Sequence, residues 1–209
     1  NPMQPVFHST ADYHRRGIES LGWELTVCNM LEPRNSPCRS ILATKSSYGH
    51  LLYDFLAGRV PIEDVRSVFE IGGGTGSLAK LLIHSGYNYY GSDLSPHMCR
   101  EAAQKKIPFF CADCRALPLK KSFDLVIFLY DGINYLPRLD HYSILFDQVY
   151  QCLNPGGYFL FDITTETNSI RHFFEYLDFE DYNDYSMVRH SYYDEEKTLQ
   201  YNDFTIFKL

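Results

Sequence analysis

Glu70-Ile71-Gly72-Gly73-Gly74-Thr75-Gly76 is the stretch that decides the fold. It ends Val68-Phe69-Glu70-Ile71, an apolar run of strand length. It precedes Leu78, Leu81 and Leu82, which recur at helical spacing up to Gly86. A glycine run between a strand and a helix marks the carboxyl edge of an α/β sheet, where such folds open a ligand crevice. Gly72, Gly74 and Gly76 alternate, so the backbone there turns tightly and a ligand approaches without a Cβ in the way.

Downstream the alternation of strand and helix continues. Tyr87–Gly91 reads as a second strand. Pro96 suits a first helical position, and Met98–Lys105 forms the second helix. Ile107–Cys111 is a third strand and Phe123–Leu129 a fourth, apolar on both faces. Leu139–Leu153 is a long helix with Leu145, Val149 and Leu153 on one side. Asn154-Pro155-Gly156-Gly157 ends it, and Tyr158–Ile163 is a fifth strand. Strands alternating with helices, and apolar on both faces, predict a doubly wound, mostly parallel α/β sheet.

Both ends of the chain depart from this rhythm. Ala11–Met30 mixes charges with Ile18, Leu21, Trp23, Leu25 and Val27 and reads as helical in part. Ser46-Ser47 offers an N-cap for a helix carrying Tyr48, Leu51, Leu52, Phe55 and Leu56. Residues 1–60 are therefore expected to form an N-terminal helical cover, and residues 61–165 the core. In residues 166–209, Ser186–Tyr193 and Leu199–Leu209 alternate as strands do, and Asp194–Thr198 is a polar turn between them. An antiparallel hairpin lobe is expected there.

The 209 residues carry a net charge of −7, and the segment from Glu166 to Leu209 alone holds ten acidic residues against four basic. A duplex-binding protein presents a basic face, and none is visible. No apolar run approaches the ~20 residues of a membrane helix. No signal-peptide pattern follows Arg15-Arg16, and six cysteines are too sparse for a disulfide scaffold. These features predict a cytoplasmic protein with reduced thiols and no nucleic-acid or membrane partner. Cys111-Ala112-Asp113-Cys114 has no second pair at zinc spacing, so no metal is expected.

Three ligand classes compete for the glycine loop. A P-loop needs Lys-Ser/Thr after its last glycine, and Gly76-Ser77-Leu78 lacks it. The dinucleotide pattern G-x-G-x-x-G fails from Gly72, whose sixth position is Ser77. It is met formally from Gly74, whose sixth position is Ala79. The third class is S-adenosylmethionine. Asp93, in Gly91-Ser92-Asp93-Leu94-Ser95, lies 21 residues after Gly72, near the ~20 of a ribose-binding acid, and supports a nucleoside of either kind.

The pattern acid-x-G-x-G-x-G, with Glu70 as the acid, resembles the first motif of class I, Rossmann-like S-adenosylmethionine-dependent methyltransferases of the small-molecule branch. The resemblance runs on through Gly91–Ser95, Cys111–Cys114, Phe123–Leu129 and Leu153–Phe159. It implies that Glu70 faces the cofactor's ammonium, that Gly72, Gly73, Gly74 and Gly76 cradle the cofactor, and that Asp93 takes both ribose hydroxyls. It further implies that Leu94 and Met98 line the adenine, that Asp113 and Cys114 meet its edge, and that Leu129 closes the site. Tyr13 and Tyr48 would cover it. Tyr130-Asp131-Gly132-Ile133 stands where enzymes acting on nucleic-acid amino groups carry Asn/Asp-Pro-Pro-aromatic, a departure that argues against DNA as substrate.

The function implied is transfer of a methyl group from S-adenosylmethionine, leaving S-adenosylhomocysteine, to a small-molecule acceptor such as an amine. Asp131, Tyr130 and Tyr135 are the catalytic candidates, with Asp131 first. A nicotinamide-dependent oxidoreductase and an inactive methyltransferase-like binding protein are the alternatives. The family's sheet has two further strands after the fifth, and only 46 residues follow Ile163. A hairpin used as a lid leaves strands six and seven missing and the fifth strand an open edge, to be completed by another chain, as in a homo-oligomer. If instead the hairpin is itself those two strands, it pairs with Tyr158–Ile163.

Overall fold

The computed structural model describes residues 23–29, 39–43, 64–119 and 123–208. Ten strands and four α-helices lie within them, in two sheets. In chain order these are β1 (Trp23–Asn29), β2 (Arg39–Ala43), β3 (Ser67–Ile71), α1 (Ser77–His84), β4 (Asn88–Asp93), α2 (Pro96–Gln104), β5 (Phe109–Cys111) and β6 (Phe123–Phe128). A 3-10 turn at Gly132–Tyr135 leads to α3 (Leu139–Cys152), β7 (Leu153–Ile163), α4 (Glu166–His172), β8 (Glu175–Asp181), β9 (Tyr185–Asp194) and β10 (Leu199–Lys208).

The large sheet has the order β2-β1-β7-β6-β3-β4-β5. Strands β3 to β7 are mutually parallel, as the buried apolar runs require. Period-two alternation sorts their side chains between two cores. Val68, Leu125, Ile127 and Leu160 pack with Leu78 and Leu82 of α1. Phe69, Val126, Phe128, Phe159 and Phe161 pack with Leu145 and Val149 of α3. The sheet is thus covered on both faces, and the carboxyl ends of β3, β4 and β6 come together at one edge. The chain runs from β3 outward through β4 to β5 and returns to β6 on the other side of β3. That reversal is a topological switch point, where α/β sheets open their crevice.

The sheet's far side differs from expectation. β1 pairs antiparallel with β7, Glu24 opposite Ile163 and Asn29 opposite Tyr158, and β2 pairs antiparallel with β1. Strand five of the sequence reading therefore has no open edge. The helical cover over residues 1–60 does not hold at Trp23–Asn29 and Arg39–Ala43, which are strands. Trp, Thr and Val, with apolar residues at every second position from Trp23, fit a pleated sheet better than a helix. Tyr13, Tyr48 and the helix read over Tyr48–Leu56 lie outside the described residues.

β9 and β10 form the expected hairpin, and β8, read from the sequence as neither strand nor helix, joins it as a third strand. This sheet pairs with no strand of the larger one, so the hairpin does not supply strands six and seven. Asn154-Pro155-Gly156-Gly157 is also part of a strand. Leu153 pairs with Phe123, the register slips, and pairing resumes at Leu125–Tyr158. Asp124 pins this end of the sheet. One carboxylate oxygen accepts from the Arg66 and Ser67 N–H groups at 2.8 Å and the Ser67 hydroxyl at 2.9 Å, and the other accepts from the Asn154 amide at 2.7 Å.

Candidate active site

Gly72, Gly74 and Gly76 have φ of +66°, +57° and +76°, in the left-handed region. A Cβ on Gly76 would stand 2.6 Å from Ile107 Cδ1, and one on Gly73 2.8 Å from Glu70 Oε2. The loop is thus built on glycine both for its turns and for its closeness to what lies beneath. Gly72 directly follows β3, so the strand-to-helix turn begins at Gly72 and not at Gly74. The dinucleotide pattern met only from Gly74 is therefore out of step with the turn.

Asp93 ends β4 beside this loop. Its Oδ2 accepts from the Gly74 N–H at 2.9 Å and its Oδ1 from the Ser95 N–H at 2.8 Å. The Gly73 N–H donates to the Ser92 carbonyl at 2.9 Å, which locks the two loops together. Asp93 is half-buried, and each of its oxygens keeps a lone pair for a further donor. Leu94, next along, is 65% exposed, an apolar side chain left over the crevice edge. A carboxylate for hydroxyls, an apolar platform beside it and a loop without side chains fit a nucleoside. Met98 lies half-buried on α2 behind them.

Glu70 lies under the glycine loop. It is 2% exposed, beneath Gly73, and accepts a hydrogen bond from the Tyr89 hydroxyl. Burial pushes its carboxyl up to about 7, the Tyr89 bond opposes that, and the nearby Asp93 charge adds to it. Asp113 is likewise engaged. Arg115 meets it through Nη2 at 2.6 Å and Nε at 2.9 Å and reaches the His141 ring with Nη1 at 3.2 Å. The Arg115 bond, working against burial, holds the Asp113 carboxyl below the usual carboxylate range. Cys114 packs against the α3 core, and burial pushes its thiol up to about 11.

Across the crevice the chain leaves β6 through Leu129, which is buried, and enters two consecutive left-handed residues. Tyr130 has φ +59° and Asp131 φ +49°. Neither is glycine, and such conformations cost of order 1–3 kcal/mol each. The loop is held from β7. The Asp131 N–H donates to Oδ2 of the fully buried Asp162 at 2.9 Å. The Asn134 amide donates to the Thr164 carbonyl at 2.8 Å, and the Thr164 N–H donates back to Asn134 Oδ1 at 2.9 Å. Burial first, then the Asp162 charge, push the Asp131 carboxyl up to about 7, against a Thr164 hydrogen bond. Burial, with Glu70 and Asp162 adding to it, also keeps the Tyr130 hydroxyl protonated well above its ordinary range. Tyr135 is 58% exposed on the 3-10 turn.

The structure thus brings Gly72–Gly76, Asp93, Leu94, Leu129, Tyr130 and Asp131 to one edge. Asp162, Tyr89, Asn134, Thr164 and Arg115 carry the supporting contacts and were not singled out from the sequence. Their signal was weak: each lies in a motif read for something else, or pairs with a residue distant in sequence.

Residues 68–157 match the model of the methyltransferase domain family. Over that stretch the chain is similar to methyltransferase domains. A putative methyltransferase of Geobacillus sp. strain WCH70 is 32% identical over 119 residues, 54% of this chain and 48% of that protein. The chain spans about half the length of the curated relatives it matches. An S-adenosylmethionine-dependent methyltransferase from Clostridium acetobutylicum is 21% identical with a TM-score of 0.59, covering 74% of this chain and 72% of that one. A sugar N-methyltransferase from Streptoalloteichus is 20% identical with a TM-score of 0.60, covering 77% and 72%. These two likenesses carry the fold of the methyltransferase domain and no more. Among the described residues no helix is long and apolar enough to cross a membrane.

Proposed function

We propose that the protein transfers a methyl group from S-adenosylmethionine to a small-molecule amine, with Asp131 accepting the proton that the amine must lose. S-adenosylmethionine, when bound, supplies an activated methyl group, so the chain's task is proximity, orientation and proton handling. The carrying observation is the Asp131 carboxyl, pushed to about 7 in a strained loop facing the glycine loop. A base is most effective when its pKa lies near the working pH. Tyr130 stays protonated and serves as a hydrogen-bond donor beside it.

The proposal extends to the cofactor side. Asp93 takes the ribose hydroxyls while holding Gly74 and Ser95 in register. Leu94 lies against the adenine. Glu70 supports Gly73 from below and reaches the ammonium end through its charge. Asp113 reaches the adenine edge through the backbone that Arg115 stiffens. Residues 166–208 act as the acceptor-side lobe. They hang from α4 at the carboxyl edge, through Tyr193 Oη to Glu166 at 2.9 Å and Ser169 Oγ to Gln200 at 2.7 Å. The acidity of that lobe supports a cationic or amine acceptor.

The test is calorimetry with S-adenosylhomocysteine, followed by incubation with methyl-labelled S-adenosylmethionine and parallel sets of amine, hydroxyl and carboxyl acceptors. Binding and label on amines are expected. Asp93→Ala should weaken binding by about 1.5–3 kcal/mol, the range for hydrogen bonds to a charged group. No binding below millimolar overturns the cofactor reading, and label on carboxyl or hydroxyl acceptors alone overturns the amine.

A further inference from the structure

The C-x-x-C of the sequence is not where the thiols meet. Cys114 turns into the α3 core, whereas Cys111 is exposed and its Sγ donates to the Leu94 carbonyl at 3.5 Å. Cys99, on α2, donates its Sγ proton to the Asp93 carbonyl at 3.4 Å. The two sulfurs therefore sit under consecutive carbonyls of one loop. The Asp93 carbonyl that Cys99 reaches also accepts from the Ala112 N–H at 3.0 Å, which brings Cys99 Sγ beside the Cys111–Ala112 backbone. Asp93 pairs with Cys111 across the β4–β5 ladder, so the loop, the helix and the edge strand converge on this spot.

We propose that Cys99 and Cys111 form a modification site, a dithiol that low-molecular-weight disulfides oxidise to an intramolecular disulfide, which loosens the Asp93–Ser95 loop. The consequence for the cofactor rests on the nucleoside reading of Asp93 given above. Cys111, the exposed thiol, attacks first as thiolate. It bonds to one sulfur of the disulfide and expels the other as a thiolate, which takes a proton. The Cys99 sulfur then attacks Cys111, loses its proton and releases the second thiol. Two protein thiols are oxidised and one disulfide is reduced to two thiols. The order follows from exposure: Cys99 is half-buried, and burial pushes its thiol up to about 12.

The coupling to the site is direct. Both S–H donors disappear in the disulfide, so the Leu94 carbonyl loses its Cys111 donor and the Asp93 carbonyl keeps only the Ala112 N–H. The Asp93 carboxylate is bonded to the Gly74 and Ser95 N–H groups, so a shift of this loop is passed to the glycine loop.

The test uses the whole chain, reduced and then treated with oxidised glutathione. Thiols are counted after denaturation, disulfides are mapped by peptide mass, and S-adenosylhomocysteine binding is measured before and after. Expected are the loss of two of the six thiols, a Cys99–Cys111 bridge, and affinity about tenfold weaker, a typical coupling between linked sites. Dithiothreitol should restore both. Cys152→Ala, in the α3 core away from the crevice, should form the same bridge with the same loss of affinity. Cys99→Ser should stop at a mixed disulfide on Cys111, and Cys111→Ser should form no bridge. A bridge elsewhere, no bridge, or a bridge with unchanged affinity overturns the proposal. If the reduced protein binds no S-adenosylhomocysteine, the cofactor reading falls, and the bridge map still decides the dithiol site.

Discussion

Two loops at the same sheet edge solve the same backbone problem in opposite ways. The loop after β3 enters the left-handed region three times and uses glycine each time. The loop after β6 enters it twice in succession and uses Tyr130 and Asp131. Each loop has a carboxyl pushed up to about 7, Glu70 below the first and Asp131 on the second. Glu70 is sealed by Tyr89 and Gly73, whereas Asp131 is only half-buried. The difference separates two duties. Where a ligand must come close to the backbone, side chains are absent. Where the proposed function puts the proton transfer, side chains are kept in spite of the strain.

The comparison breaks most visibly at Asp131. Asp131→Asn keeps the shape and removes the base, so turnover should fall by about 10²–10⁴-fold with cofactor affinity little changed. In the parent, turnover should rise with pH and level off above about 7, because the base must be ionised. A flat profile from pH 6 to 8 would remove Asp131 from that role. Glu70 makes the next largest effect, on stability. Its carboxyl holds a proton in the folded state over a range where the unfolded chain has released it. Stability should therefore fall as pH rises from about 4.5 to about 7, by up to about 3 kcal/mol, and then stay level. Asp131, its carboxyl also pushed up to about 7, adds a fall over the same range, so Glu70→Gln should remove about half of the slope in urea titrations, and an unchanged slope would mean that Glu70 is not one of the groups concerned.

Gly76→Ala should cost about 2 kcal/mol, from a left-handed alanine and a Cβ that crowds Ile107. A thermal melt reads it, and a neutral result would show that glycine is dispensable there. The smallest effect is the most discriminating. Asp131→Gly relieves a strained residue, so the unfolding free energy from urea titration at about pH 4, where the folded protein holds this carboxyl protonated, should rise by about 1 kcal/mol while activity is lost. A less stable variant would mean that the second loop carries no strain for function.

The sequence shows the fold best where residues meet only the sheet and its helices. Val68–Ile71 and Phe123–Phe128 are apolar on both faces, and doubly covered strands are easily recognised. Trp23–Asn29 was obscured because its partner, Tyr158–Ile163, lies at the other end of the chain and nothing local demands a strand. Glu175–Asp181 was obscured because its alternate positions are acidic, and Leu177 and Phe179 stand exposed between them. In the site, glycine and Asp93 were legible because backbone geometry asks for them by type. The direction of the Asp113 carboxylate was not, since it depends on Arg115 two residues on. Nor was the thiol pair, because Cys99 and Cys111 meet only after a helix and a strand have folded.

The pairing of β1 with β7 also sets an order of assembly. Glu24 leaves the ribosome long before Ile163, its partner in the ladder. Through all of that synthesis β1 has no edge to join, while β3, β4, β5 and β6 can already associate. Contacts so far apart in sequence are slow to form, since a long loop must close before they are rewarded. The strand that is synthesised early is therefore among the last to dock, and until it does the β7 edge is open to a neighbouring chain. Crowded expression should tax this protein at that step, before any of its chemistry begins.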